Sequence, residues 1–344
     1  MDLKKGIEGD YVETNDNLFF DVKGLLHPKD QKICFIRFYP NPSGDRTKAG
    51  IKYSKIYDLN ERYKFLRTNF PQYLFYSNEL DLELQGVKIE DIKKIYTPRE
   101  YFKSLFQRTN LTKLEEHSKE LCELFIVDGG VPEDSIGISG SPMVGLHKDY
   151  SDIDIIIYGT ENSLQFQENL NDILSDCGFC RKYNSQEFIT HYEWRAGGSD
   201  VNFNDFVKSE QRKLHQGMYK GYDFFIRYIK SPKDWNGVFS DFKYSNLGRI
   251  KLKAKITDAT DSIFTPCSYE VEILKVLECN IPNDLIKQRL REINSFRGRF
   301  CEHAKNGEDI IVEGKLEKVS FKNKEEYYRI LLTDQVKDKI LVIN

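Results

Sequence analysis

The chain has 344 residues, 40% of them hydrophobic and 31% charged, with a formal net charge of −3 and a pI near 6.2. That length supports two or three domains with real cores, and the balance excludes a disordered chain and argues against a dedicated nucleic-acid binder, which would carry a marked basic excess. No stretch approaches the ~18 apolar residues of a membrane span, the polar start MDLKKGIEGDYVETND has no apolar signal core, and seven irregularly spaced cysteines make no disulfide framework, so the expectation is a cytoplasmic protein with reduced thiols.

Residues 1–96 read as a β-rich domain. Ile33-Cys34-Phe35-Ile36-Arg37-Phe38-Tyr39 is a strand-like run, ended by the turn cluster Pro40-Asn41-Pro42-Ser43-Gly44. Tyr63 to Tyr76 and Glu79 to Ile89 are aromatic or alternating, as in a small antiparallel sheet. Residues 97–128 read as helical. Thr97-Pro98-Arg99-Glu100 supplies an N-cap, a proline at the first helical position and an early acid. Leu111, Leu114, Leu121, Leu124 and Phe125 then recur near helical spacing until Gly129-Gly130.

Asp134 to Ser141 is a short strand running into a turn, and Asp152 to Tyr158 is an apolar run of the kind buried in a sheet. Helices are expected over 161–176 and 203–215, and a strand over Tyr222 to Ile229. From Gly248 the texture changes. Arg249, Lys251, Lys253 and Lys255 alternate with Ile250, Leu252, Ala254 and Ile256, a period-two strand with one basic face. A helix over 282–292 and strands over 309–319, 327–332 and 339–343 complete a small β-barrel-like domain over 247–344. The expected organisation is therefore α+β: a β-rich domain (1–96), a central α/β domain (97–246) and a C-terminal β domain (247–344).

The chemistry is concentrated in Gly140-Ser141-Pro142-Met143-Val144-Gly145-Leu146-His147-Lys148-Asp149-Tyr150-Ser151-Asp152-Ile153-Asp154. A Gly-Ser turn after a buried strand leaves backbone N–H groups and a hydroxyl open to phosphate oxygens. Two aspartates at i and i+2 of a strand point the same way. Side by side they repel unless a cation lies between them. Paired carboxylates are the hard oxygen ligands of magnesium, with substrate phosphates completing its octahedron.

The spacing Gly-Ser-x3-Gly-x5-Ser-Asp-hydrophobic-Asp resembles the signature of the DNA polymerase beta-type nucleotidyltransferases, and every fixed position is filled here: Gly140, Ser141, Gly145, Ser151, Asp152 and Asp154. More widely, the chain resembles a family of archaeal chains proposed to be nucleotidyltransferases. Ile138 to Ser141, Gly145 to His147, Ser151 to Asp154 with Tyr158-Gly159, Phe264 to Tyr269, Arg297 to Phe300 and Glu313 to Glu317 carry that likeness. The resemblance implies a polymerase-beta-like core and transfer of NMP from an NTP to a hydroxyl, of RNA or of a protein, with magnesium or manganese at the carboxylates. It also implies a third carboxylate on a later strand. Asp223, opening the strand Tyr222 to Ile229, is the first candidate, with Asp200 and Asp205 behind it.

Around the motif, Ser151, Lys148 and Arg227 are candidates to touch the nucleotide, against the plainer readings of a solvated lysine and a structural salt bridge. Cys177-Gly178-Phe179-Cys180 is a lone pair of thiols, short of the four ligands a zinc site needs. The basic face over Arg249 to Lys255 reads either as a phosphate-binding surface or as a solvated strand face, and the 18 basic against 16 acidic residues over 247–344 favour the second. The alternative to an enzyme is an inactive nucleotide- or nucleic-acid-binding module.

Overall fold

The computed structural model describes residues 6–196, 198–235, 237–322 and 324–343. The chain is an α+β protein built on three sheets. Its described residues gather into two compact units: Met1–Ser77, Leu82–Arg181 and Gln216–Phe239 make the first, while Asn78–Asp81, Lys182–His215 and Ser240–Asn344 make the second.

In the first unit, β1 (Tyr11–Thr14), β2 (Phe19–Val22), β3 (Gln31–Pro40), β4 (Arg46–Lys48) and β5 (Ile51–Lys55) precede α1 (Leu59–Asn69). β6 (Leu74–Ser77), β7 (Leu82–Lys88) and β8 (Ile92–Tyr96) follow. The strands form an antiparallel sheet ordered β4-β5-β3-β2-β1-β8, with β7 against the start of β3 and β6 against β7. Both its faces are apolar, because adjacent side chains of a strand point opposite ways. Phe20, Val22, Cys34 and Ile36 pack with Leu66 of α1, and Phe19, Phe38 and Tyr53 pack on the other side. From Tyr63 on, α1 was expected to belong to the sheet. Asp58 decides otherwise: its side chain accepts the Glu61 N–H and caps a run of good helix formers.

α2 (Pro98–Leu105) and α3 (Lys113–Val127) replace the single helical stretch expected over 97–128. Thr112 and Glu115 form a reciprocal capping box, which starts a new helix rather than extending the old one. Next come β9 (Ile136–Ile138), α4 (Gly140–Met143), β10 (Ile153–Tyr158), α5 (Thr160–Asp176) and β11 (Cys180–Arg181). After α6 (Ser185–Ala196) and α7 (Phe203–Glu210) of the second unit, the chain adds β12 (Gln216–Tyr219) and β13 (Tyr222–Ile229). The central sheet runs β11-β12-β13-β10-β9, with β10 and β13 parallel and the other pairs antiparallel.

One face of the central sheet carries Ile153, Ile155 and Ile157 beside Phe224, Ile226 and Tyr228. It packs on α3 and α5, with Phe125 4.9 Å from Phe166 and Phe166 6.3 Å from Tyr228, ring centre to ring centre. Each fully buried isoleucine contributes about 1.5–3 kcal/mol, so this face fixes β10 and leaves its other face for chemistry. The N-terminal sheet is no separate domain: Tyr11, Phe19, Phe38 and Tyr53 share one apolar cluster with Met143, Val144 and Leu146. The expected boundary at 96/97 therefore falls inside one core.

In the second unit, β14 (Phe242–Asp258), β15 (Cys267–Cys279), α8 (Asn283–Arg289), β16 (Leu290–Ser295), β17 (Asp309–Phe321), β18 (Tyr327–Leu331) and β19 (Lys339–Val342) form a sheet ordered β14-β15-β16-β18-β17-β19. Because β14 also pairs with β17, the first five strands in that order close on themselves. Ile250, Leu252, Ala254 and Ile256 fill the interior with Ile293, Val312 and Ile330. The expected boundary at 246/247 lies within β14, and the helix expected over 282–292 stops at Arg289, where Leu290 joins the ladder with β18. α7 likewise ends at Glu210, short of His215. Among the described residues no helix is long and apolar enough to cross a membrane.

Candidate functional site

Asp152 stands just before β10 and Asp154 within it, on the face opposite the packed isoleucines. Asp152 is exposed and Asp154 partly buried. Desolvation, then the neighbouring Asp152 charge, push the Asp154 carboxyl up to about 7, although Arg227, Lys55 and Arg37 pull it down. Among the described residues neither carboxylate makes a hydrogen bond or an ion pair.

Gly140 and Ser141 open α4 beside this pair. Gly140 has φ +73°, and a Cβ there would fall 2.2 Å from Asp154 Oδ2. Only glycine lets the turn and the carboxylate meet. Ser141 is buried, and among the described residues its hydroxyl has no hydrogen-bond partner. An orphaned buried hydroxyl costs about 1–3 kcal/mol, which a bound acceptor would recover. Gly145 also takes a left-handed φ of +67°, and the Gly145 and Leu146 N–H groups close the turn onto Pro142 and Ser141 carbonyls.

The other sequence candidates divide. Asp223 begins β13 one residue before Phe224, the partner of Ile153, so strand alternation places it on the Asp154 face at the same edge. It is exposed, and among the described residues no three His, Cys, Asp or Glu side chains converge as a metal set. Asp223 therefore shares the edge without completing a triad. Asp200 and Asp205 belong to the second unit. Asp200 pairs with Lys339, and Asp205 serves the N-terminus of α7, its N–H donating to Asn202 Oδ1 at 2.9 Å.

Ser151 closes the loop, its hydroxyl accepting the Lys148 N–H at 2.9 Å. The Lys148 ammonium pairs with exposed Asp45. Arg227 sits on the Asp154 face of β13 but donates to buried Glu8 at 2.8 Å, so in this state it is a structural ion pair.

What the sequence reading missed is the contribution of the N-terminal sheet. Arg46 donates to the Leu146 carbonyl at 2.6 Å and Lys48 to the Val144 carbonyl at 2.8 Å, clamping the phosphate-type turn from outside. Arg37 of β3 lies in the field of Tyr11, Asp21, Asp154 and Asp152. Desolvation opposes its charge, but its acidic surroundings, the Asp21, Asp154 and Asp152 carboxylates among them, outweigh it and hold the guanidinium protonated. Lys55 of β5 lies in the same field, with burial lowering its pKa. The signals were an arginine and an aspartate inside apolar runs, Arg37 after Ile36 and Asp21 after Phe20.

The donors fit a divalent cation of the magnesium type. Asp152 and Asp154 are all-oxygen ligands that repel one another and lack a protein cation in contact. Magnesium commonly takes one or two carboxylates, leaving other positions to water and substrate phosphates.

No family model matches the chain, and no solved structure matches it. It is similar to an uncharacterized protein of Methanocaldococcus jannaschii, MJ1086, with 29% identity over 332 residues, covering 94% of each chain.

Proposed function

We propose that the chain is a metal-dependent nucleotidyltransferase with a polymerase-beta-like core, moving NMP from an NTP to a hydroxyl acceptor. One observation carries this reading: the Gly140-Ser141 turn and the Asp152/Asp154 pair converge, with Asp154 Oδ2 against Gly140 and neither carboxylate neutralised by a contacting cation. Asp152 and Asp154 would hold magnesium or manganese, and Ser141 with the adjoining N–H groups would take triphosphate oxygens. The bound ion supplies positive charge to the phosphate oxygens.

The rest follows from in-line displacement. The acceptor oxygen bonds to the α-phosphorus as the α–β bridging P–O bond breaks, and pyrophosphate leaves with that electron pair. The hydroxyl proton passes to a carboxylate, and Asp223 is the acid on the correct edge to accept it. RNA ends and protein hydroxyls are both acceptors of suitable chemistry.

A second reading, a nucleotide-binding module without transfer, is favoured by the lack of a converged third acid among the described residues. Incubation with each NTP and magnesium separates the two: label incorporated into RNA or protein supports transfer, and nucleotide binding without pyrophosphate release supports the module.

A further inference from the structure

The N-terminal sheet holds two cations aimed at the carboxylate pair that do not touch it. Between β2 and β3 the register steps from Phe19 opposite Phe38 to Phe20 opposite Ile36, so β3 carries one extra residue, Arg37. Such a bulge re-aims the side chain it inserts. The effect is visible in the packing: Ile36 belongs to the α1 side of the sheet and Phe38 to the side that packs on Val144 and Leu146. Lys55 pairs in register with Phe38. Cross-strand partners project to one face, so Lys55 rises on the side that meets the turn.

Asp152 and Asp154 act electrostatically on both cations. Yet neither cation forms an ion pair with either carboxylate, so every N···O separation exceeds 4.0 Å. Among the described residues the Lys55 ammonium makes only ring contacts, 4.8 Å from the centre of Tyr57 and 5.9 Å from that of Phe38. Arg37 reaches Asp21 at 3.4 Å, and its Nε is buried without a partner among the described residues. The face that carries Lys55 packs through Phe38 and Tyr53 on Val144 and Leu146 of the turn, and that turn opens at Gly140 against Asp154 Oδ2, so cations of one sheet and carboxylates of the other flank the same turn without contact.

We propose that Arg37 and Lys55 bind the β- and γ-phosphates of the nucleotide, so that the N-terminal sheet forms one wall of the active site. This rests on the transferase reading and deepens it. Asp152 and Asp154, which would hold the metal, lie on the β10 side, and the two cations would meet the triphosphate tail from the β3–β5 side. They would also hold the charge that pyrophosphate gains on leaving. Arg37 and Lys55 are substrate-binding groups here, with no proton to transfer.

The test uses the full chain with Lys55→Met, Lys55→Arg and Arg37→Met, each checked for folding by circular dichroism. The readouts are calorimetric binding of inorganic tripolyphosphate with magnesium, and the KM for NTP against the KM for acceptor. Lys55→Met is expected to weaken tripolyphosphate binding and raise the NTP KM by about tenfold or more, the worth of one charge-assisted bond. Acceptor KM should stay level, and Lys55→Arg should restore most of the loss. Should Arg37→Met fail to fold, Lys55→Met carries the test alone. Turnover with NTP KM and tripolyphosphate binding unchanged in Lys55→Met would overturn the inference and leave the transferase reading standing. Tripolyphosphate binding lost in Lys55→Met, with no turnover by the unmodified chain, would support the anion site and remove the transferase reading. Neither binding nor turnover by the unmodified chain overturns both.

Discussion

β14 of the barrel and β10 of the central sheet both carry charges on alternate positions, and they treat them oppositely. On β14, Arg249 meets Glu313 and Asp338, Lys251 meets Glu278 and Glu313, and Lys253 meets Asp309 at 3.1 Å. Deeper in the barrel, Glu317 takes Arg329 at 2.8 Å and Lys315 at 2.7 Å. On β10, Asp152 and Asp154 stand beside each other with no contacting cation, and the Asp154 carboxyl is pushed up to about 7. Charges answered by cross-strand partners support the fold. Charges left unanswered at some cost in stability mark a place where something else must bind.

The largest effect that sharpens this contrast is expected from Glu317→Ala. It strands the Arg329 guanidinium, which is buried and lies 3.8 Å from the centre of the Tyr244 ring. Breaking such a pair costs about 3–5 kcal/mol, so denaturant unfolding should show a loss of that size. Asp152→Asn with Asp154→Asn should do the reverse at neutral pH, leaving stability equal or higher because repulsion and desolvation are both relieved. A loss above ~1 kcal/mol in that double variant would erase the distinction between the strands.

A pH profile adds a second buried acid. Asp10 accepts the Gly6 and Ile7 N–H groups at 2.7 and 3.2 Å, and desolvation pushes its carboxyl up from 3.8 to about 7. A raised acid contributes stability that is present below its unfolded pKa and is lost as pH rises through the folded value. Stability should therefore decline between pH ~4 and ~7 for the parent chain. Asp10→Asn retains an acceptor oxygen and should flatten that decline; an unchanged slope in chemical unfolding would exclude Asp10 as its source.

Ser141→Ala should weaken NTP binding on the order of tenfold while leaving the unfolding midpoint equal or higher, since among the described residues the hydroxyl has no partner to lose and its unsatisfied burial is relieved. Calorimetric titration reads it. The smallest effect is expected at Lys253→Met, where a pair at the barrel surface, half-buried on both sides, is worth about 1 kcal/mol and turnover should not move. A loss of nucleic-acid binding there would instead make the basic stripe a binding face.

Local patterns carried the parts of this fold that could be read from sequence. The β10 run, the Gly-Ser turn and the alternation from Arg249 to Ile256 announce themselves because each signal fits within a few turns or pleats. Asp223 was placed on its strand for the same reason, and its register beside β10 follows from the parallel pairing. Three features did not announce themselves. The Tyr63 to Tyr76 stretch looked like sheet because aromatic residues recur along it, and a single capping aspartate at Asp58 starts a helix that runs into it. The α2–α3 break depends on a capping box seen only once Thr112 and Glu115 face each other. The placement of Arg37 and Lys55 depends on a bulge in β3 and on the β3–β5 pairing, and neither leaves a local periodicity. The same limit applies to Arg227, whose partner Glu8 lies at the far end of the chain.

The central claim is that Asp152 and Asp154 hold the metal that activates an NTP. The most direct measurement is pyrophosphate release from each of the four NTPs in magnesium, by the parent chain and by the folded Asp152→Asn, Asp154→Asn double variant. The account predicts release by the parent with at least one NTP, and a fall of at least ~10²-fold in the variant. Equal release by the two proteins, or none by the parent across RNA and protein acceptors, would contradict it.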